Sequence, residues 1–349
     1  MRLQRNIGTG IIYSLILLLL LNLLAGCAAN RGGTAAKAGA ASEKSDGEVA
    51  VKLNIADIST NPVFRVAVHQ GFLEKYGIKA ELVNFATPAE GINSLFIKQA
   101  DIGWGADYPI LNAVSKGEYT IIASTGTSTD KNAAQWKLFV RDEIQQPEQL
   151  KGKALSFLRG TFISYLWDEY LAEHGIEIKE TKLVGQGGSD ESYIALKKGE
   201  VDAVWVSGAA MTQKFSELEG VHQLTDMSQT GVRIGSQIIV PNSLIIQHPD
   251  KVKGFLLALD ESSRYIKEHP DEVADLLYKE VKQPKESTLK DLSVTNWEVN
   301  FTQQAYESLE RQKKYMVENS IIQQDFNLTD KIDLQFLREA LPDREAYTP

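Results

Sequence analysis

The sequence predicts an α/β protein of two similar lobes, with a ligand cleft between them and two hinge crossings of the chain. Three observations predict it. The stretch Ile97-Lys98-Gln99-Ala100-Asp101-Ile102-Gly103-Trp104-Gly105-Ala106-Asp107-Tyr108-Pro109 reads as a helix end, a short strand and a turn into a new helix. The same unit returns as Leu196-Lys197-Lys198-Gly199-Glu200-Val201-Asp202-Ala203-Val204-Trp205, with Asp202 answering Asp101 and Trp205 answering Trp104. Strand and helix patterns alternate on both sides of this repeat, which calls for a largely parallel sheet. Gly77 and Gly175 fall at equivalent helix ends, where a left-handed cap favours glycine. Small ligands usually bind in the cleft between two such lobes.

The chain of 349 residues is 43% hydrophobic, enough for a large core or two domains. Residues 1–26 read as a signal peptide. Arg2 and Arg5 precede an apolar run, Ile11 to Leu24, that is short for a bilayer span and right for a signal core. The run closes on Leu24-Ala25-Gly26-Cys27, which looks like a lipobox and predicts lipidation of Cys27. Cys27 is the single cysteine, so disulfides, thiolate metal sites and cysteine catalysis are excluded from the folded part. The lipidated Cys27 and the Ala-, Gly-, Ser- and Lys-rich stretch that follows it, residues 27–50, form a flexible tether to the membrane. Residues 51–140 with 236–349 are expected to make lobe I, and 141–235 lobe II.

In order, Val51 to Ala56 alternates as a strand. Asn61-Pro62 starts a helix, with Asn at the N-cap and Pro at N1, that runs to Tyr76. Ile78 to Phe85 is a strand, and Thr87-Pro88-Ala89-Glu90 carries the signature of a capping box. Asp101 to Trp104 is the third strand, Asp107-Tyr108-Pro109 starts the third helix, and Tyr119 to Ser124 is the fourth strand. Trp136 to Val140 reads as a crossing strand. The plan then repeats: strand Lys153 to Leu158, helix Thr161 to His174, strand Thr181 to Val184, a helix from Ser189, and strand Val201 to Val206. Gln237 to Pro241 is a further strand. From His248 the chain is mainly helical, and Phe301 to Val317 and Leu334 to Leu341 read as amphipathic helices on the first lobe.

The formal net charge is −9 with no basic stripe, so nucleic acid is not an expected partner. The five histidines form no metal-binding pair, no Gly-x-Ser-x-Gly elbow is present, and no metal or cofactor is expected. Gly185-Gln186-Gly187-Gly188 lacks the spacing and the following Lys-Ser/Thr of a nucleotide loop. What remains is a set of helix starts at strand ends, where free N–H groups and the helix dipole favour anions. The candidates are Ser59-Thr60-Asn61, Thr87, Ala106-Asp107-Tyr108, Arg159-Gly160-Thr161, Ser189 and Ser207. Each of the Ser, Thr, Asn and Asp residues has the alternative role of an ordinary cap. Arg159-Gly160-Thr161 adds a cation and a small residue to its helix start, so Arg159 is expected to help hold an anionic head.

From Val51 to Ala274 the chain resembles the substrate-binding proteins of ABC importers, in the alkanesulfonate, taurine and nitrate branch. The matching runs are Gln70-Gly71-Phe72-Leu73-Glu74-Lys75-Tyr76-Gly77-Ile78, Ala100 to Pro109, Leu150-Lys151-Gly152-Lys153, Arg159-Gly160-Thr161, Gly199-Glu200-Val201-Asp202-Ala203 and Gln247-His248-Pro249-Asp250-Lys251-Val252. The resemblance implies a type II periplasmic-binding fold, two lobes closing on a ligand. It places contacts on the Asn61 loop, Thr87, Asp107-Tyr108, Arg159-Gly160-Thr161 and the loop after Val206. Where the family often has Trp-Asp-Pro, this chain has Ser207-Gly208-Ala209, which enlarges or reshapes the pocket. The expected function is capture of a small organic anion, a taurine-like aliphatic or aromatic sulfonate, and its delivery to an ABC permease with its ATPase. A monomer anchored outside the cytoplasm is expected. The alternatives are a nitrate, bicarbonate or thiamine-precursor binder, an enzyme on the same fold, and a ligand sensor.

Overall fold

A five-stranded sheet carries the second lobe, and in the first a two-stranded and a three-stranded sheet, joined by a single bridge, repeat its strand order. The computed structural model describes residues 50–59, 61–126 and 129–347. The expected signal segment, the Cys27 lipidation site, the tether up to Val49 and the candidate residue Thr60 lie outside the described residues.

In the first lobe Val51–Ile58 pairs in parallel with Ile78–Phe85 along its whole length. A parallel bridge from Ile55 to Ile102 ties that pair to Gly103–Ala106. Ser236–Pro241 lies between Gly103–Ala106 and Tyr119–Ser124, antiparallel to both. In the second lobe the order is Lys182–Gln186, Ala154–Leu158, Ala203–Val206, Lys137–Arg141, Val221–Asp226. Here Lys137–Arg141 is antiparallel to both of its neighbours. In each lobe the fourth strand arrives from the other lobe.

This exchange explains two departures from the sequence reading. The sheets are mixed rather than largely parallel, because each crossing strand enters from the opposite direction. Strand Lys137–Arg141 belongs to the second sheet, so the lobe boundary drawn at 140 moves upstream of Lys137. A third departure is local. The first helix spans Pro62–His69 and stops short of Tyr76, because Gly71 turns left-handed at φ +69°. A short 3₁₀ turn, Glu74–Tyr76, then leads to the expected Gly77 cap at φ +68°. Helices Ala209–Ser216 and Lys285–Val294, which no sequence pattern flagged, complete the cleft.

The duplication read from the sequence has a common bond at its base. Asp101 accepts a hydrogen bond from the backbone N–H of Asn54 at 2.8 Å, and Asp202 accepts one from Ala154 N–H at 2.8 Å. Each carboxylate pins the third strand of its lobe to the first. Period-two alternation then sorts the strands' side chains between faces. Leu138, Val140 and Trp205 enter one core of the second lobe with Trp167 and Tyr170, while Phe139, Val204 and Val206 enter the other with Leu196 and Phe215. The first lobe buries Ile55, Phe64, Ile121, Phe255 and Leu256 in one continuous core. The late helices Pro249–Glu268 and Gln303–Glu318 pack on Pro62–His69 and Asp107–Val114 respectively.

Candidate functional site

Six helices begin at one interlobe cavity of about 310 Å³. Three are in the first lobe: Pro62–His69, Pro88–Phe96 and Asp107–Val114, whose starts bring Ser59, Thr87 and Ala106 to the wall. Three are in the second: Ile163–Glu173, Ser189–Lys198 and Ala209–Ser216, which bring Thr161, Ser189 and Ser207. Each start leaves backbone N–H groups without an intrahelical partner and points a positive dipole end inward.

The capping chemistry of these starts matches the sequence. Asn61 accepts from Val63 N–H at 2.9 Å, and Thr87 Oγ1 accepts from Glu90 N–H at 3.2 Å. Glu90 in turn accepts from Ala86 N–H, one residue before the position a capping box uses. Thr161 Oγ1 donates to Leu158 C=O at 2.7 Å, which turns the chain into its helix. At Ser189–Lys198 and Ala209–Ser216 the N-caps are Gly188 and Gly208, with no side-chain cap.

Five of the expected contact residues are placed elsewhere. Asn61 is fully buried as a cap, its amide nitrogen without a partner among the described residues. Asp107 is fully buried and serves the hinge. Its Oδ2 accepts from Gly235 N–H at 2.8 Å and from Gln312 Nε2 at 2.6 Å, and from the Ser308 hydroxyl, so it ties the returning crossing to helix Gln303–Glu318. Burial pushes the Asp107 pKa up to about 6 against these hydrogen bonds. Tyr108 is half-buried and packs against the cores of both lobes. Arg159 is exposed, and its side chain lies over Gly185 rather than on the cavity wall. Gly160, at φ +71°, faces Ala89 of the other lobe so closely that a Cβ there would sit 3.4 Å from the Ala89 methyl.

Sequence reasoning missed the aromatic walls. Trp104 and Trp297 form one side, their rings 6.2 Å apart and tilted 42°, and Trp104 Nε1 donates to Thr125 C=O. Trp136 and Phe162 form another, edge-to-face at 4.8 Å. Asp291, from helix Lys285–Val294, reaches across to accept from Ala209 N–H at 3.0 Å. Its carboxyl is raised by burial, with the Ala209 N–H and Lys290 pulling the other way. Trp104 stood in the repeat and was legible as a marked position. Trp297 and Asp291 lie in a stretch with no motif.

The model of the family described as NMT1/THI5 like matches residues 62–273. The chain belongs to the NMT1/THI5-like family. A Bacillus subtilis (strain 168) protein named "Putative aliphatic sulfonates-binding protein" is 22% identical over 95% of this chain and 97% of its own. The alkanesulfonate-binding protein SsuA from Xanthomonas axonopodis pv. citri, bound to MOPS, superposes with a TM-score of 0.70 at 15% identity, over 82% of this chain and all of that one. The desulfurization enzyme DSZB, as a C27S mutant with biphenyl-2-sulfinic acid, superposes with a TM-score of 0.65 at 15% identity, over 84% and 99%. The two-lobed periplasmic-binding fold expected from the sequence is the fold of this chain. That fold carries binding proteins and an enzyme alike, so function is argued from the site. No helix among the described residues is long and apolar enough to cross a membrane.

Proposed function

We propose that this chain is the extracytoplasmic solute-binding component of an ABC importer, and that it captures a small organic sulfonate or a related oxyanion. The observation that carries the reading is the convergence of six helix starts, three from each lobe, on one cavity. An oxyanion there takes backbone N–H donors from both lobes at once, which rewards closure of one lobe on the other. Ser59, Thr87, Ala106, Thr161, Ser189 and Ser207 are the proposed contacts. The aromatic walls suit an organic body of more than two carbons. The relative named for aliphatic sulfonates supports the same class, since it aligns over nearly the whole chain. The partner is a membrane permease with its ATPase, and the protein acts as a monomer held at the membrane by lipid on Cys27.

A calorimetric screen of alkane- and arylsulfonates, nitrate and bicarbonate tests the ligand class. A sulfonate with micromolar or tighter Kd is expected, and failure of every sulfonate alongside a nitrate or bicarbonate response would sink the reading. For the anchor, Cys27→Ser is expected to release the protein from the membrane fraction and abolish labelling by fed fatty acid. Unchanged membrane association and unchanged labelling would end the lipoprotein assignment.

A further inference from the structure

The cavity just described as the ligand site holds one charged side chain among the described residues that line it, and it is an acid. Asp291 stands on Lys285–Val294, a helix that packs on Ala209–Ser216 of the second lobe. One carboxylate oxygen takes the Ala209 N–H; the other takes no hydrogen bond among the described residues. No lysine, arginine or histidine shares the cavity wall. The neighbouring Lys290 draws the carboxyl's pKa down but does not line the cavity, and the cost of half-burying the charge outweighs it and raises the pKa.

What a ligand can bring to this carboxylate is a positive charge. The surrounding walls fit that chemistry. Trp297 follows on the same segment, Trp104 packs against it, and Trp136 lines the same cavity. Indole faces attract cations through their quadrupole, most strongly where water is excluded. A carboxylate and three indoles in one cavity form the combination that recognises a cationic nitrogen, while the helix starts offer donors to an oxyanion.

Resting on the sulfonate reading above, we propose that the ligand is a zwitterion. Its sulfonate or similar oxyanion sits on the helix starts, and its protonated or quaternary nitrogen sits against Asp291 and the Trp104–Trp297 pair. Asp291 is then the residue that separates amino-substituted sulfonates from plain ones. The Ala209 N–H fixes the carboxylate's position, and Asn at 291 would retain an acceptor for that N–H while losing the charge.

Three probes test this by titration calorimetry: 3-(trimethylammonio)propanesulfonate, its carbon isostere 4,4-dimethylpentane-1-sulfonate, and phenyltrimethylammonium, which has no sulfonate. The wild type is expected to prefer the zwitterion over the isostere by about tenfold or more. Asp291→Asn should erase that preference by weakening the zwitterion alone. Equal binding of zwitterion and isostere by the wild type overturns the proposal. So does an equal loss of both in Asp291→Asn, because that is the signature of a purely structural clamp on Ala209. If neither sulfonate binds but phenyltrimethylammonium does, in an Asp291-dependent way, the sulfonate reading fails and the cation subsite stands. If none of the three binds, both are wrong.

Discussion

Trp104 and Trp205 occupy the same place in two copies of one unit, yet one lines the ligand cavity and the other is core. Both follow the aspartate that pins their strand. The difference lies in what covers them. Trp205 is buried under Trp167 and Tyr170 of its own lobe, with ring centroids at 5.8 and 5.5 Å. Trp104 is half-buried, and its cover is Trp297, delivered by a late segment that no second-lobe element matches. Its strand also differs: a Cβ at Gly103 would sit 2.6 Å from Ile92 Cδ1, so the strand lies tight on helix Pro88–Phe96, where the second lobe has Val204 and Val206. Duplication keeps the scaffold, and function settles where the two copies are covered differently.

The largest expected effect breaks the comparison on the core side. Trp205→Ala should cost about 3–5 kcal/mol of folding stability, as large core truncations do. Trp104→Ala should cost clearly less stability and weaken sulfonate binding by about tenfold or more. Denaturant melts and calorimetry on the two variants measure both quantities. If Trp104→Ala proves as destabilising as Trp205→Ala and leaves affinity intact, Trp104 is core and the lobes are equivalent after all.

A smaller effect sharpens the contrast at the hinge, where Asp107 has no counterpart role in the second lobe. Its folded pKa, about 6, is raised above the usual carboxylate value. The fold therefore favours the protonated acid, and that stability is present below about pH 4 and lost as pH rises through 6. Relative to Asp107→Asn, which does not titrate, the wild type should lose roughly 2 kcal/mol between pH 4 and pH 7. Melting curves of the pair across that range measure it. A difference that is flat with pH would show that the Gly235, Ser308 and Gln312 donors hold Asp107 ionised throughout.

Much of this was legible in the sequence because it is local. Asn61-Pro62, Thr87-Pro88 and Ser189 announce helix starts within three or four residues, and strand ends carry those starts to one place in an α/β lobe. Gly77 and Gly175 mark left-handed caps for the same reason, with φ values of +68° and +71°. What stayed hidden depends on distant chain. Asp107 looks like a ligand contact until Gly235, Ser308 and Gln312 close over it. Arg159 sits beside a helix start in sequence, but its side chain has room to lie back over Gly185, where there is no side chain to exclude it. The antiparallel crossing strands could not be read, since direction within a sheet leaves no trace in a strand's own alternation.

The central claim is that the oxyanion is held by helix starts of both lobes together. Hydrogen exchange with and without a saturating concentration of the tightest-binding sulfonate tests it most directly. Ligand should slow exchange at the first-turn amides of Pro88–Phe96 in one lobe and of Ile163–Glu173 and Ser189–Lys198 in the other, with little change in the outer strands. Protection confined to one lobe, or none at these helix starts while the ligand is bound, would contradict the account.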